Sequence, residues 1–425
     1  MRVIISAAVA AATAAVIVTA SSGGTTRTSV VGGAASVVPA NAIAFAAIDT
    51  DASSAQSQAA QALLGKFPNL VAGFQQAFAK QTKLNWQTDI EPALGSELDV
   101  ALLPGAKPAL VALTQPADPS KLAALVAAAG HGVVTRTVAG WTAIAGSTAA
   151  LDALTNATST LAQNSTYVAA TSSLADDALV RAYAAPTQLP ELKWASADVV
   201  ATSGGLKLQT FAQTTSPAPT APTQLQTEIP AGVLAVADFQ AATGAALPTA
   251  VTKLPQQVQT LLAGVRTALG GETAVYVSAG LPPSVTLVTH PADPQAALTV
   301  IDQAVASLAA KGGIFSIVHG PLPHATVDGA LVVSTSQLGI AGFGSGTALS
   351  ADPAFTAAMA AAGAPAQTTG FAYVDLKTAI PLVESLASLA GAKLPPSLQG
   401  AGLASLQSLT AFSTGTSFTV YLALK

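Results

Sequence analysis

The sequence has no cysteine, and only 9% of its 425 residues are charged. The lack of cysteine excludes disulfides, thiolate catalysis, cysteine-ligated zinc and a lipid-modified N-terminal cysteine. An average globular domain carries about 25% charged residues, so the exposed faces here must be built from Thr, Ser, Gln and Ala. The net charge is -4 and Lys and Arg form no cluster. We therefore expect no nucleic acid partner, because the basic footprint of such proteins is missing.

Catalytic and metal-binding motifs are also missing. No Walker A, GxSxG, SxxK or HExxH pattern occurs. The glycines of 342–346 resemble a phosphate loop, but the third glycine falls one position early for GxGxxG. His319 and His324 are five residues apart, and Pro321 and Pro323 lie between them. The prolines forbid the helix that would direct both histidines at one metal. We predict no catalytic residue, no metal site and no cofactor, and hence a protein that is not an enzyme.

The remaining candidates for chemistry are isolated aromatic and histidine residues. They show no partner at catalytic spacing, and we expect His290 to occupy an exposed strand end. These residues are Trp86, Trp141, Trp194, His131 and His290.

One stretch of the chain occurs twice. Leu94 to Pro119 (LGSELDVALLPGAKPALVALTQPADP) returns without a gap as Leu269 to Pro294 (LGGETAVYVSAGLPPSVTLVTHPADP). The segment VPANAIAFAAID, which starts at Val38, is likewise restated as IPAGVLAVAD at Ile229 to Asp238. The sequence thus predicts two tandem homologous lobes. The predicted divisions are a signal peptide or anchor at 1–20, a flexible tether at 21–36, a first lobe at 37–213, a Pro/Thr-rich linker at 214–227 and a second lobe at 228–425.

Each predicted lobe has the order strand, helix, hairpin, helix, hairpin, helices, strand, hairpin. Alternating apolar residues on both sides of Pro104-Gly105 indicate one such hairpin, and an apolar stripe at helical spacing predicts a helix over 53–80. In the second lobe we expect a helix at 247–268 and a hairpin that joins 314–318 to 324–333. Hairpins need antiparallel neighbours and the helices must cover a sheet face, so the predicted class is α+β with mixed, mainly antiparallel sheets.

The N-terminus has the pattern of an export segment. Arg2 precedes an uncharged run of Ala, Val and Ile at 3–20, and Gly, Ser and Thr follow it. Small residues at Val18-Thr19-Ala20 would suit cleavage, whereas an uncleaved run is just long enough to cross a bilayer. Both alternatives place the rest of the chain outside the cytoplasm, and the uncleaved form has the cytoplasmic membrane as a partner.

Acidic residues recur in the two lobes. Asp49, Asp51 and Asp238 lie at or near the end of the first strand of a lobe, where capping of the next helix is the favoured interpretation over ligand binding. Glu97 and Glu272 recur at one position of the duplicated stretch. They could orient a turn or pair with a lysine, and the sequence does not choose between these roles.

The chain resembles an uncharacterised bacterial family, domain of unknown function 3352, found mainly in actinobacteria and cyanobacteria. The resemblance rests on VPANAIAFAAID after a membrane segment, on LGSELDVALLP, on the hairpin around Trp141 and on GFAYVDL at Gly370 to Leu376. Its departures are the alanine-rich helices and RAYAAP at Arg181 to Pro186, where the first lobe should carry GFAYVDL. The resemblance implies an exported or anchored envelope protein and carries no functional residues.

Three hypotheses for function follow. The first is a non-enzymatic protein on the outer face of the cytoplasmic membrane whose lobes bind an envelope partner. The second is a carrier of an apolar ligand such as a lipid, held between helix and sheet or between lobes. The third is a hydrolase whose Ser or Asp is hidden by the order of the sequence.

Overall fold

The structure is a computed structural model that describes residues 32–69, 71–73, 76, 80, 84, 86–128, 132–185, 191–215, 221–240, 269, 271–309, 321–389 and 403–425. These residues form two compact units. Unit 1 is the described part of the chain up to Ala218 with 403–406 and Thr416–Lys425, and unit 2 is the described part of Pro219–Ala392 with Gln407–Gly415.

Unit 1 is built on an antiparallel sheet. Its described strands are β1 (Ala44–Asp49), β2 (Glu97–Leu103), β3 (Ala109–Thr114), β4 (Val134–Val138), β5 (Trp141–Ala145), β6 (Val180–Ala184), β7 (Leu192–Thr202), β8 (Gly205–Thr214) and β16 (Ser417–Leu424). They lie in the order β16-β8-β7-β6-β1-β2-β3-β5-β4. The described helices of unit 1 are α1 (Ala55–Leu64), α2 (Glu91–Leu94), α3 (Pro119–Ala128), α4 (Thr148–Thr155) and α5 (Ser165–Thr171).

Unit 2 repeats this plan with antiparallel strands of its own. Its described strands are β9 (Val233–Gln240), β10 (Glu272–Ser278), β11 (Ser284–Thr289), β12 (His324–Val327), β13 (Ala330–Ser334), β14 (Gly370–Asp375) and β15 (Leu406–Ser413). They lie in the order β12-β13-β11-β10-β9-β14-β15. The described helices of unit 2 are α6 (Pro294–Ala309), α7 (Gln337–Gly342), α8 (Pro353–Ala362) and α9 (Leu376–Leu389).

The protein is therefore an α+β protein, as the hairpin pattern predicted. Hairpins β2–β3, β4–β5 and β7–β8 pair antiparallel where the alternation of apolar residues placed them. No helix among the described residues is long and apolar enough to span a membrane.

One apolar core cluster of unit 1 lies between a face of its sheet and the helices α4 and α5. Phe45, Leu103, Leu113, Trp141 and Leu151 are buried together there. Each fully buried large apolar side chain contributes about 1.5–3 kcal/mol relative to exposure. Trp141 is thus a core residue, which accounts for its lack of a catalytic partner.

Short polar side chains fix where the helices begin. Ser54, Ser147 and Ser336 each accept a hydrogen bond from the N–H three residues on, and Asn164 and Asp352 accept two each at the starts of α5 and α8. Such caps satisfy N–H groups that have no partner within the helix.

An edge-to-face ring pair recurs in both units. Tyr167 of α5 meets Tyr183 of β6 with ring centroids 5.2 Å apart at 87°, and Phe355 of α8 meets Tyr373 of β14 at 5.4 Å and 83°. The same helix-to-strand contact therefore anchors the same two elements in each unit, although RAYAAP and GFAYVDL differ in sequence.

The structure changes some sequence-based boundaries. The sequence predicts that 324–333 is a single strand paired with 314–318. In the structure 324–333 is itself a hairpin, in which Asp328-Gly329 connects β12 to β13. Residues 33–36 of the predicted tether and 225–227 of the predicted linker form 3₁₀ turns. Strand β16 pairs with β8 of unit 1. Residues 247–268 and 314–318 lie outside the described residues.

We predict that Gly339→Ala destabilises unit 2. A Cβ at Gly339 in α7 would lie 2.1 Å from Ser334 Oγ and 2.6 Å from Thr286 Oγ1, so the helix would have to shift away from the sheet. Overpacking of this kind costs about 1–3 kcal/mol, which urea unfolding would measure. The control is Gly342→Ala in the same helix, where the nearest atom to the new Cβ is Pro230 Cγ at 3.9 Å. Equal stability of the two variants would contradict this packing.

Candidate functional site

Glu97 binds the backbone at the point where the described chain of unit 1 begins. Its Oε1 accepts hydrogen bonds from the N–H groups of Gly32 and Gly33, the second at 3.0 Å. Gly33–Ser36 is the first 3₁₀ turn of the unit, here called the N-terminal turn of unit 1. A carboxylate at that position satisfies N–H groups that the turn cannot pair internally.

Asp99 lies beside Glu97 under the same turn. Residues two apart on a strand share a face, so both side chains of β2 point to the turn. Asp99 is 0% exposed, and its Oδ2 accepts from the N–H of Ala34 at 2.9 Å. Together the two carboxyl groups bind three consecutive N–H groups.

Burial raises the pKa of Asp99 to about 9, and the charge of Glu97 and a hydrogen bond with it act in the same direction. The Ala34 N–H opposes the shift. Oδ1 of Asp99 faces no donor in the described chain. A proton on Asp99 could be donated to Glu97 and would give that oxygen a partner.

Unit 2 has the equivalent pair. Oε1 of Glu272 accepts from the N–H groups of Gln224 and Leu225, at the start of the 3₁₀ turn Leu225–Thr227, here called the N-terminal turn of unit 2. Asp238 is 1% exposed, and neither of its carboxyl oxygens meets a donor among the described residues. Burial raises its pKa to about 9, with the charge of Glu272 and a hydrogen bond with it adding to the shift.

The two aspartates lie on strands that are not equivalent in the two units. In unit 1 Asp99 of β2 pairs across the sheet with Ala47 of β1, whereas in unit 2 Asp238 of β9 pairs with Ala274 of β10. Asp99 and Asp238 are therefore opposite members of equivalent cross-strand pairs. Glu97 and Glu272, in contrast, occupy the same position in the two units.

This geometry settles the open question about the glutamates: Glu97 and Glu272 orient turns. Neither is part of an ion pair among the described residues, where the cations Lys121, Arg136 and Arg181 pair with other acids. Each site thus combines a buried acid of raised pKa with a glutamate that fixes the turn through which the chain enters its unit.

Asp49 and Asp51 build the turn before α1. Asp49 accepts from the N–H of Asp51 and the hydroxyl of Ser54, which is the residue that caps the helix. Asp51 accepts from the N–H and hydroxyl of Ser53. Ser54 itself caps α1, and Asp49 and Asp51 order the turn that leads to it.

The capping interpretation is wrong for Asp238. Register shows that the partner of Glu272 is Gln240 and the partner of Glu97 is Asp49, so Gln240 is the equivalent of Asp49. Asp238 lies two residues inside β9, next to the half-buried Glu272. Sequence reasoning also missed Asp99, although a single acid inside the apolar run LDVALL was a usable signal.

The other candidate residues lie apart from these pairs. His324 is exposed at the start of β12, where its Nδ1 lies 3.0 Å from the Leu322 carbonyl oxygen, and His290 is exposed after β11, as expected. Trp194 donates from Nε1 to Gln213 Oε1. His131, His319 and the Trp86 side chain lie outside the described residues. Within the described ranges no three His, Asp or Glu side chains are placed to hold a metal ion.

Unit 1 also has an open depression of about 410 Å³. It lies between the start of β1, the β2–β3 turn and the end of α4. The residues at its wall include Pro39, Asn41, Pro104, Asn156, Thr158 and Ser159. Amide and hydroxyl groups with prolines offer hydrogen bonds and shape but no charge.

We predict that Asp99→Asn flattens the pH dependence of stability. Because the folded pKa of Asp99 lies above its ordinary 3.8, its contribution is fully present below about pH 4 and is lost as the pH rises to about 9, by up to ~1.4 kcal/mol per pH unit. Asparagine can still donate to Glu97 and accept from Ala34 without titrating. Calorimetry at pH 5, 7 and 8 should therefore show a variant that gains up to ~4 kcal/mol over the parent between pH 5 and 8.

Asp118→Asn is the control, because the pKa of Asp118 is shifted in the opposite direction to that of Asp99. The hydrogen bond from Ser120 lowers the pKa of Asp118, an exposed helix cap. Its contribution is present above its ordinary pKa and is lost only in acid. A parental slope between pH 5 and 8 in Asp99→Asn would contradict the raised pKa of Asp99.

We predict that Glu272→Ala loosens the N-terminal turn of unit 2. The N–H groups of Gln224 and Leu225 would lose their acceptor, at about 1–2 kcal/mol. Hydrogen exchange followed by mass spectrometry should show that a peptide spanning this turn exchanges roughly five- to thirtyfold faster. Glu228→Ala, in the residue after the turn, should leave the exchange unchanged. Parental exchange in Glu272→Ala would show that the turn is held by other contacts.

No protein-family model matches the chain, and no curated protein does either. One solved structure, "Structure of crystal form III of TP0453", is similar over 42% of this chain and 78% of its own, with 12% sequence identity and a TM-score of 0.27.

Proposed function

We propose that this is an exported protein that stays outside the cytoplasm and acts by binding an envelope partner, without a catalytic step. The export pattern at 3–20 supports the location; this segment lies outside the described residues. The observation that carries the binding role is the depression of unit 1.

The chemistry of the depression suits recognition rather than reaction. Its wall presents the amides of Asn41 and Asn156 and the hydroxyls of Thr158 and Ser159 beside Pro39 and Pro104. Neutral donors and acceptors around rigid prolines match an uncharged polar surface, such as a loop of a partner protein rich in Ser, Thr, Asn or Gly.

The wall is also firmly built, so a partner would meet a preformed shape. The N–H of Ala40 donates to the Ser159 carbonyl oxygen at 3.1 Å. Asn164 donates from Nδ2 to the Ala40 carbonyl oxygen at 2.8 Å while it caps α5. A preformed site loses little conformational entropy on binding.

The buried carboxyl pairs support the same view. Acids with raised pKa values are common at catalytic centres, but Asp99 and Glu97 bind the N–H groups of a turn, and Glu272 does the same in unit 2. Their environment has a structural cause that needs no substrate.

A photo-crosslinking amino acid at Asn156 should capture an extracytoplasmic protein in intact cells. The same residue at Ser172, which is exposed in unit 1 outside the depression, is the matched control. Asn41→Trp should fill the depression and reduce the capture at Asn156 by about tenfold, as for a lost interface anchor. Capture that is equal at both positions, that is confined to cytoplasmic proteins or that survives Asn41→Trp would contradict the proposal.

A further inference from the structure

Unit 2 exposes two large apolar side chains near one end of its sheet. Leu281, in the connection between β10 and β11, is 74% exposed, and Leu338, in the first turn of α7, is 83% exposed. Val285, at the start of β11, is 42% exposed. These three residues are here called the leucine surface.

Strand register places the leucine surface at one end of the sheet. Thr286 of β11 pairs with Ser334, the last residue of β13, and the N–H of Thr335 donates to the Val285 carbonyl oxygen. The β10–β11 connection and the start of α7 therefore lie side by side.

Leu338 is presented by a rigid element. Ser336 caps α7 by accepting from the N–H of Gly339, and the missing side chain of Gly339 lets the helix lie directly on Ser334 and Thr286. The exposure of Leu338 thus follows from how α7 is fixed.

The chain around the leucine surface carries no charge. Neither 273–289 nor 329–351 contains Asp, Glu, Lys, Arg or His. The polar residues that flank the leucine surface are uncharged Ser, Thr and Gln, and a lipid interface favours apolar contacts and penalises charges that reach its hydrocarbon.

Unit 1 provides an internal comparison, because smaller side chains stand at the positions that match the two leucines. Leu281 and Leu338 correspond in the repeat to Ala106 and Ala149, which are exposed alanines. The next position after Ala106 is Lys107, where unit 2 has Pro282.

An ion pair of unit 1 is also replaced. Arg136 Nη1 lies 2.7 Å from Asp152 Oδ1, between β4 and α4. The matching residues of unit 2 are Ala325 and Ala341. At these matching positions unit 1 has three charged residues where unit 2 has none, and unit 1 has two alanines where unit 2 has two leucines.

We propose that the leucine surface of unit 2 contacts lipid, with Leu281 and Leu338 inserted among the acyl chains at the bilayer interface. This inference deepens the proposed function by naming bilayer lipid as a partner of unit 2. It rests on the proposed location of the protein in the envelope, but its test supplies the membrane directly.

The absence of cysteine allows a site-specific test in the full chain. Leu338→Cys and, in unit 1, Ala149→Cys each accept one environment-sensitive fluorophore. The proteins are reconstituted into phosphatidylcholine vesicles whose acyl chains carry a doxyl quencher. We expect quenching at position 338 to exceed that at position 149 by about threefold or more, because only the former would reach the hydrocarbon.

A second variant distinguishes lipid from protein contact. Leu281→Asp should reduce quenching at position 338 several-fold, since a carboxylate is costly in hydrocarbon, and circular dichroism would verify its fold. Equal quenching at 338 and 149, or none at 338, would overturn the proposal. A fluorescence change at 338 that follows protein concentration without lipid would also overturn it, in favour of contact between copies of the chain. The crosslinking at Asn156 reports on unit 1, so the two proposals can fail separately.

Discussion

A carboxyl group that is removed from water beside a negative charge must keep its proton, and this constraint organises the start of both units. Asp99 and Asp238 are almost completely buried next to Glu97 and Glu272. The retained proton removes one charge from each pair and lets the glutamate accept backbone N–H groups of the turn. The position of the chain as it enters each unit therefore depends on a pair of carboxyl groups, and not only on apolar packing.

The repeated units show which part of this arrangement is constrained. The glutamate must stay on one strand because it has to reach the turn. The acid that shares its proton needs only to lie next to it, which is possible from the same strand at Asp99 or diagonally from the neighbouring strand at Asp238. The acid can lie beside the glutamate from either strand because cross-strand partners on the same face are close neighbours, although only Asp99 also accepts an N–H group of the turn.

Much of the fold could be predicted from the sequence. Apolar alternation around Pro104 and Ala139-Gly140 located two hairpins of unit 1, and the repeat revealed that the glutamates are equivalent. The candidate site could not be predicted, because the burial of Asp99 depends on a turn 65 residues away in the chain. Asp238 was misplaced for a related reason: a shift of two positions keeps the same face of a strand, so only register distinguishes it from Gln240.

The scarcity of charge links these features. In a chain with 9% charged residues, we expect surfaces made mostly of Thr, Ser, Gln and Ala, and Arg136–Asp152 is one of three ion pairs among the described residues. Exchange of that pair for Ala325 and Ala341 removes a modest surface ion pair, worth about 0–1 kcal/mol, so stability hardly opposes the loss. Adding Leu338 and Leu281 gives no packing in return, because both remain exposed. Large apolar side chains that are not buried within unit 2 are expected to be buried against a partner, which is bilayer lipid in our proposal.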